Sequence, residues 1–205
     1  TGNTDMWSGK ICKALQPAGY GTLCFNFRGQ ANTTFGNETR LTPKLIVEDI
    51  CALVEHIKPP SPILVGLSIG GLFAAQSYLA GCQAVGIVLI NTLRKASQRL
   101  DWINRAMVDL ARIGGGDLVM KANLPVIASP ALISSLWNTV FNDTHPSPPP
   151  ASDGLLRLME GAIATDWDYP YEELQIPVLI LTGEYDRLFR SNNDIEELKS
   201  RINQV

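Results

Sequence analysis

The residues best suited to chemistry in this sequence surround Ser68, which stands in the pattern Gly66-Leu67-Ser68-Ile69-Gly70. A serine hydroxyl is a poor nucleophile unless it is exposed, aligned and deprotonated by a neighbouring base. A tight turn from a strand into a helix exposes the hydroxyl, and glycines on both sides leave room for the neighbouring chain. The first N–H groups of that helix can stabilise an oxyanion. The pattern therefore predicts a nucleophilic serine. The alternative is a glycine-rich turn that only closes the fold or holds a phosphate.

A nucleophilic serine needs a base, and the sequence contains two histidines, His56 and His145. His56 falls off the apolar stripe of a predicted helix, so it should face solvent. His145 belongs to the proline-rich stretch "HPSPPPASDG" at 145–154. We expect both histidines to be surface residues, and neither is a good candidate for the base.

Composition limits the class of protein. The chain has 205 residues, of which 45% are hydrophobic and 18% are charged, and these values suit one soluble globular domain. The net charge is −3 and no basic stripe is present, so nucleic acid is not an expected partner. The apolar runs are too short to span a membrane.

Cysteine usage favours a reducing compartment. The four cysteines (Cys12, Cys24, Cys51 and Cys82) show neither a CxxC pair nor metal-ligand spacing. We expect them to be buried free thiols, which predicts a cytoplasmic protein. The oligomeric state stays open.

Four short apolar runs that do not alternate with polar residues predict parallel strands covered on both faces. They lie at 21–27, 62–66, 85–91 and 177–183. Helical patterns separate them, and they lie at 44–58, 69–81 and 191–203. This alternation predicts an α/β fold with a doubly wound, mostly parallel sheet.

The stretch 92–170 interrupts the alternation. It carries helical patterns, a triple glycine at 114–116 and the proline-rich stretch, and no run typical of a buried strand. We interpret it as a helical cap inserted into an α/β core formed by 1–91 and 171–205. Ordinary connecting helices are the alternative, although nearly eighty residues is long for a connection.

Several segments together resemble the α/β-hydrolase superfamily in its core-plus-cap form, over nearly the whole chain. Besides the Ser68 turn, these are "LILTGEYDRLF" with Asp186, "FNFRGQ" with Arg28 and Gly29, "LIVEDICALVEHI" and the opening "TGNTDMW". The resemblance implies that Ser68 is the nucleophile and that Asp186 orients an imidazolium. It also implies that the N–H of Ile69 forms half of the oxyanion hole.

Three positions depart from the pattern of that family. Asn26 replaces the usual aspartate and Gln30 a common glycine, and both changes concern a structural turn. Leu67 stands before the serine where histidine is frequent, which makes the floor of the pocket more apolar.

The resemblance places the catalytic histidine beyond Val205 and the second oxyanion donor just before Thr1. It also places a strand before Thr1, between the strands at 21–27 and 62–66. Without that strand the centre of the sheet would expose buried, unpaired backbone groups, each costing about 1–3 kcal/mol. We therefore expect the 205 residues to belong to a longer polypeptide, with N- and C-terminal segments that complete the fold.

The function predicted from this reasoning is a serine hydrolase that cleaves an ester, thioester or related acyl bond of a small-molecule substrate. No metal or organic cofactor is expected. Leu67, Trp102 and Trp137 are the predicted pocket residues. Acyl transfer and C–C bond hydrolysis on the same scaffold remain alternatives, because a fold does not select a reaction. So do a non-catalytic binding or signalling protein and, less favoured, a phosphate- or nucleotide-binding domain.

Overall fold

The sheet of the protein has three parallel strands in the computed structural model, which describes residues 3–141 and 145–204. The strands lie in the order β1–β2–β3, with bounds Ile63–Leu67, Gly86–Ile90 and Val178–Leu181. Gly66 faces Leu89 across β1 and β2, and Leu89 faces Ile180 across β2 and β3. Three of the four predicted strands and their parallel direction are therefore confirmed, and their carboxyl ends meet at one edge of the sheet.

The fourth predicted strand, at 21–27, is absent. The segment has no regular secondary structure and pairs with no described strand. Leu23 and Phe25 are 50% and 39% exposed, so the run is not covered on both faces. A strand depends on a neighbour that satisfies its N–H and C=O groups, and apolar content alone does not provide one. Only the end of the segment joins the core, where the ring of Phe27 packs edge-on against Phe73.

Eight helices accompany the sheet in the part of the chain that is described. Their bounds are α1 Asp5–Trp7, α2 Lys13–Leu15, α3 Pro43–Ile57, α4 Ile69–Leu79, α5 Gln98–Ile127, α6 Pro130–Val140, α7 Gly154–Ala162 and α8 Asn192–Ser200. Tighter or wider helical turns occupy Ser8–Cys12, Gln16–Ala18 and Tyr171–Glu173. None of these helices is long and apolar enough to cross a membrane.

Helix α3 shows how local sequence sets the bounds of a predicted helix. The side chain of Thr42 accepts a hydrogen bond from the N–H of Leu45, and Pro43 occupies the first turn, where its missing N–H costs nothing. Ile46 and Ile50 are buried on one face. Lys58 adopts a left-handed conformation that ends the helix, in agreement with the prediction of 44–58.

Helices α5, α6 and α7 fill most of the chain between β2 and β3, where the sequence predicts a cap. Helix α5 is bent at Gly114 and Gly115, and Gly115 has a φ of 63° that only glycine adopts readily. The triple glycine is therefore a bend between two helical halves. The division into a core and a cap at 92–170 stays a prediction.

The main hydrophobic core lies between the sheet and the helices that follow its strands. Helix α4 contributes Leu72 and Ala75, β2 contributes Leu89, and α8 contributes Leu198. The segment before β3 adds Tyr171, which is fully buried. This packing holds the carboxyl edge of the sheet, where β1 leads directly into Ser68.

Candidate active site

Ser68 occupies a strained turn between β1 and α4. Its φ of 58° and ψ of −128° lie in a region that residues with side chains rarely adopt, at a cost on the order of 1–3 kcal/mol. Its N–H donates to the carbonyl of Ile90 at 2.7 Å, and its carbonyl accepts from the hydroxyl of Thr92 at 3.1 Å. These bonds to the end of β2 hold the turn in place. The hydroxyl of Ser68 is half-buried at the start of the helix.

The glycines around Ser68 play different parts from those predicted. A Cβ at Gly66 would lie 2.3 Å from the backbone of Gly70, so close approach requires glycine there, as expected. A Cβ at Gly70 would meet no atom within 4 Å. The prediction that close approach of the chain requires glycine at this position was therefore wrong. The crowded position is Gly71, where a Cβ would lie 2.0 Å from Oγ1 of Thr92. Thr92 presses against the first turn of α4, whereas Gly70 faces open space.

Asp186 lies on the loop that follows β3 and is 6% exposed. Its Oδ1 accepts hydrogen bonds from the N–H groups of Leu188 at 3.1 Å and Phe189 at 2.9 Å. The loop is tied to β2, because Oδ1 of Asn91 accepts from the N–H of Gly183 at 2.6 Å. The structure thus places the predicted acid at the same edge of the sheet as Ser68.

Arg94 is a site residue that sequence reasoning missed. Its Nη2 donates to Oγ of Ser68 at 2.8 Å and to the carbonyl of Asn91 at 3.2 Å. Its guanidinium carbon lies 3.7 Å from the ring centre of Phe189 and 5.3 Å from that of Trp167. It also lines a small cavity together with Asp186. The available signal is that three of the four residues after β2 (Asn91, Thr92 and Arg94) are polar, because ligands in α/β sheets bind beyond the carboxyl ends of strands.

The charge of Arg94 is held in an unusual environment. The residue is 6% exposed, and burial lowers its pKa to about 10, while the charge of Asp186 acts in the opposite direction. The guanidinium therefore stays protonated near pH 7. Among the described residues it forms no ion pair within 4 Å, and its Nε is buried without a hydrogen-bond partner.

The other predicted site residues differ in their position along the fold and in their exposure. Ile69 is the first residue of α4, so its N–H has no acceptor within the helix. Leu67 ends β1 and is half-buried. Trp102 and Trp137 are 77% and 56% exposed, and neither lines the cavity beside Asp186. Their role in a substrate pocket stays a prediction.

A larger surface depression lies away from this cluster. Its volume is about 550 Å³, and it is lined by residues such as Pro62, Tyr78, Val85 and Glu173. Pro62 and Val85 precede β1 and β2, so the depression belongs to the amino ends of the strands. Ligands of α/β sheets bind at the opposite edge, and the cluster around Ser68 is therefore the candidate site.

Comparison with known proteins agrees with this geometry. The α/β-hydrolase fold family matches residues 1–205. The chain belongs to the α/β-hydrolase fold family. A curated relative, 3-oxoadipate enol-lactonase 2 of Acinetobacter baylyi, is 24% identical over 188 residues, which are 90% of this chain and 67% of the relative.

Solved structures share the α/β-hydrolase fold at low sequence identity. An esterase from Thermogutta terrifontis, with malate bound, superposes with a TM-score of 0.74 at 18% identity, covering 98% of this chain and 74% of that one. The enol-lactonase from Burkholderia xenovorans gives a TM-score of 0.73 at 19% identity, covering 98% of this chain and 75% of that one.

Both residues that depart from the α/β-hydrolase pattern near Arg28 form hydrogen bonds with the backbone. Oδ1 of Asn26 accepts from the N–H of Thr4 at 3.0 Å, and Oε1 of Gln30 accepts from the N–H of Phe27 at 2.7 Å. Arg28 forms a bidentate ion pair with Asp49 at 2.6 and 2.8 Å. The side chains of Asn26 and Gln30 therefore take part in the local structure around this turn.

Both histidines are surface residues, as predicted. His56 lies in the last turn of α3 and is exposed, and His145 is exposed next to the proline run. Neither forms a hydrogen bond with Ser68 or Asp186 among the described contacts. The expected positions of the histidine and of the second oxyanion donor, beyond Val205 and before Thr1, lie outside the described residues.

Proposed function

We propose that the protein is a serine hydrolase that cleaves an ester, thioester or related acyl bond of a small molecule through an acyl-enzyme on Ser68. The observation that carries this proposal is the strained backbone of Ser68 at the start of α4, at the same sheet edge as the buried Asp186. Strain of this kind persists where the surrounding structure enforces it and is concentrated at functional sites. Relatives named esterase and enol-lactonase support the same class of bond, because a lactone is a cyclic ester.

The proposed acylation step begins when Oγ of Ser68 attacks the carbonyl carbon of the substrate. The serine proton passes to a base, and the electron pair of the carbonyl bond moves to its oxygen. The N–H of Ile69 stabilises that oxyanion. The carbonyl then reforms, the leaving group departs with the proton, and water cleaves the acyl-enzyme by the same sequence of steps.

The base in this proposal is a histidine that Asp186 orients. Asp186 suits this task because backbone N–H groups occupy its Oδ1 and hold the carboxylate still. Because Arg94 donates to Oγ of Ser68, the serine uses a lone pair there and its own O–H proton remains free for a base.

Helices α5 to α7 are proposed to form the cap over this edge of the sheet. Trp102 and Trp137 would then meet an apolar acyl or ring-bearing substrate. Both have large exposed apolar surfaces in the structure. Their low burial is consistent with side chains that become covered when a substrate binds.

A fluorophosphonate probe tests the proposed function directly, because it reacts with activated serines. The full-length protein should be labelled at Ser68, and Ser68→Ala should abolish the labelling. Ser61→Ala, which changes an exposed serine before β1, is the control and should leave labelling intact. An unlabelled wild-type protein would contradict the proposal.

The alternative function is ligand binding without catalysis on the same scaffold. One observation favours it: His56 and His145 are exposed, and neither forms a described hydrogen bond with Ser68. A protein of this kind would not react with the probe and would bind a small acyl compound unchanged. Labelling and mass spectrometry of the probed protein therefore distinguish the two functions.

A further inference from the structure

We propose that Arg94 is a catalytic residue that stabilises the negative charge developing on the reacting oxygens at Ser68. This inference rests on the proposed hydrolase function and adds a side-chain cation to a site whose expected oxyanion donors are backbone N–H groups. Three observations on the structure carry it: a direct contact, a buried charge that forms no ion pair within 4 Å among the described residues, and the small space beside the guanidinium.

The direct contact joins the cation to a reacting atom. Nη2 of Arg94 donates to Oγ of Ser68 at 2.8 Å, which is the length of a good charge-assisted hydrogen bond. When Oγ attacks a carbonyl, Oγ and the carbonyl oxygen become bonded to the same tetrahedral carbon. A donor already at Oγ is therefore within reach of the oxygen that receives the charge.

The burial of Arg94 makes its charge effective. Charge interactions are stronger away from water, and the residue is 6% exposed. The rings of Phe189 and Trp167 shelter the guanidinium and offer cation–π contacts, but they do not neutralise it. With no ion pair in the described part of the chain and an unpartnered Nε, Arg94 can interact favourably with an anionic oxygen when one forms.

The small space near Arg94 favours the carbonyl oxygen of the scissile bond over a separate anionic group of the substrate as its partner. The cavity that Arg94 shares with Asp186 has a volume of only about 10 Å³, close to the minimum for one water molecule. A separate carboxylate group of a substrate does not fit there. The carbonyl oxygen of the scissile bond needs no such cavity, because it arrives at Ser68 with every acyl substrate.

The test compares variants of the full-length protein on an uncharged ester such as p-nitrophenyl butyrate. Arg94→Gln should lower kcat about 10²–10³-fold and leave KM within about threefold, because the charge appears only in the transition state. Arg94→Lys should recover part of kcat, since the ammonium keeps the charge. Arg105→Gln is the matched control: Arg105 is exposed and pairs with Asp101 one turn earlier in α5. Its kcat should stay within about threefold of wild type.

A second measurement does not depend on turnover. The boron atom of butylboronic acid accepts a lone pair of Oγ of Ser68 as the serine proton leaves, and the product is a tetrahedral boronate anion. Arg94→Gln should weaken this binding at least about tenfold in isothermal titration calorimetry, while Arg105→Gln should not. Circular dichroism and thermal unfolding of each variant show whether it is folded.

The possible outcomes separate the two proposals. If wild-type protein is neither labelled by fluorophosphonate nor bound by the boronic acid, the hydrolase function fails and this inference fails with it. If wild-type protein is active and a folded Arg94→Gln variant keeps kcat and boronate affinity within about threefold, only the role of Arg94 is wrong. If Arg94→Gln lowered kcat/KM only for half-esters of dicarboxylic acids, the proposed role of Arg94 would also be overturned, because Arg94 would then bind a substrate carboxylate.

Discussion

Asn91 ties the end of β2 to the loop that carries Asp186, because its Oδ1 accepts the N–H of Gly183 at 2.6 Å. The backbone of Asn91 is left-handed, with a φ of 49°. Asparagine tolerates this conformation better than most residues with a side chain. One residue thus combines an unusual backbone with an amide that reaches the neighbouring strand, and it links the nucleophile side of the site to the acid side.

Substitution of Asn91 should separate these two contributions. Asn91→Gly keeps the left-handed backbone and loses only the hydrogen bond, so we expect about 1 kcal/mol less free energy of unfolding. Asn91→Ala loses the hydrogen bond and also places a residue that disfavours the left-handed conformation at this position. It should lower the free energy of unfolding by about 2–3 kcal/mol. Urea unfolding followed by circular dichroism measures both values. Equal stability of Asn91→Ala and wild type would show that this link is unimportant.

The glycines near Ser68 provide a second prediction with an internal control. Gly66→Ala and Gly71→Ala each place a methyl group within 2.3 Å of existing atoms, so each should lower the free energy of unfolding by about 2–3 kcal/mol. Gly70→Ala meets open space in the first turn of α4 and should be neutral or raise stability by about 0.5–1 kcal/mol. Thermal unfolding of the three variants checks the order. A Gly70→Ala variant as unstable as Gly71→Ala would contradict the described packing.

Thr92 tests the cause of the crowding at Gly71. Because the atom nearest to an added Cβ is Oγ1 of Thr92, Thr92→Ala should partly rescue Gly71→Ala. The same change should not rescue Gly66→Ala, whose clash is with the backbone of Gly70. A double-mutant cycle gives the coupling energy for each pair.

Features that depend on local sequence were predictable, and those that depend on distant partners were not. Helix α3 has its cap, its apolar stripe and its terminating residue all within the continuous segment 42–58, so its bounds follow from the local sequence. The run at 21–27 has equally apolar residues, but a strand also needs a neighbour, and none of the described strands pairs with it.

The candidate site shows the same division. The Ser68 turn follows from the order of a strand, two glycines and a helix. Asp186 follows from the resemblance of the segment "LILTGEYDRLF" to the acid loop of the α/β-hydrolase family. Arg94 contacts Ser68 across 26 residues of sequence, and arginine is usually exposed, so nothing local indicates its burial. Trp102 and Trp137 are predicted pocket residues because they are large and apolar. Both are exposed, and their exposure depends on how α5 and α6 are oriented.

The strain at Ser68 leads to a prediction that concerns stability. Glycine adopts a φ of 58° and a ψ of −128° without the cost that a side chain imposes, so Ser68→Gly should be more stable than Ser68→Ala by about 1 kcal/mol. Both variants lose the hydroxyl, so the difference does not depend on its hydrogen bond to Arg94. Urea unfolding of the two variants measures it.

Ser134 supplies the matched control for that comparison, because it is an exposed serine within α6. In a helix, alanine is favoured over glycine, so Ser134→Ala should be more stable than Ser134→Gly by about 1 kcal/mol. The two positions should therefore show opposite orders of alanine and glycine. If Ser68→Ala were the more stable variant at position 68 as well, Ser68 would not be strained, and the main structural support for a nucleophile there would be lost.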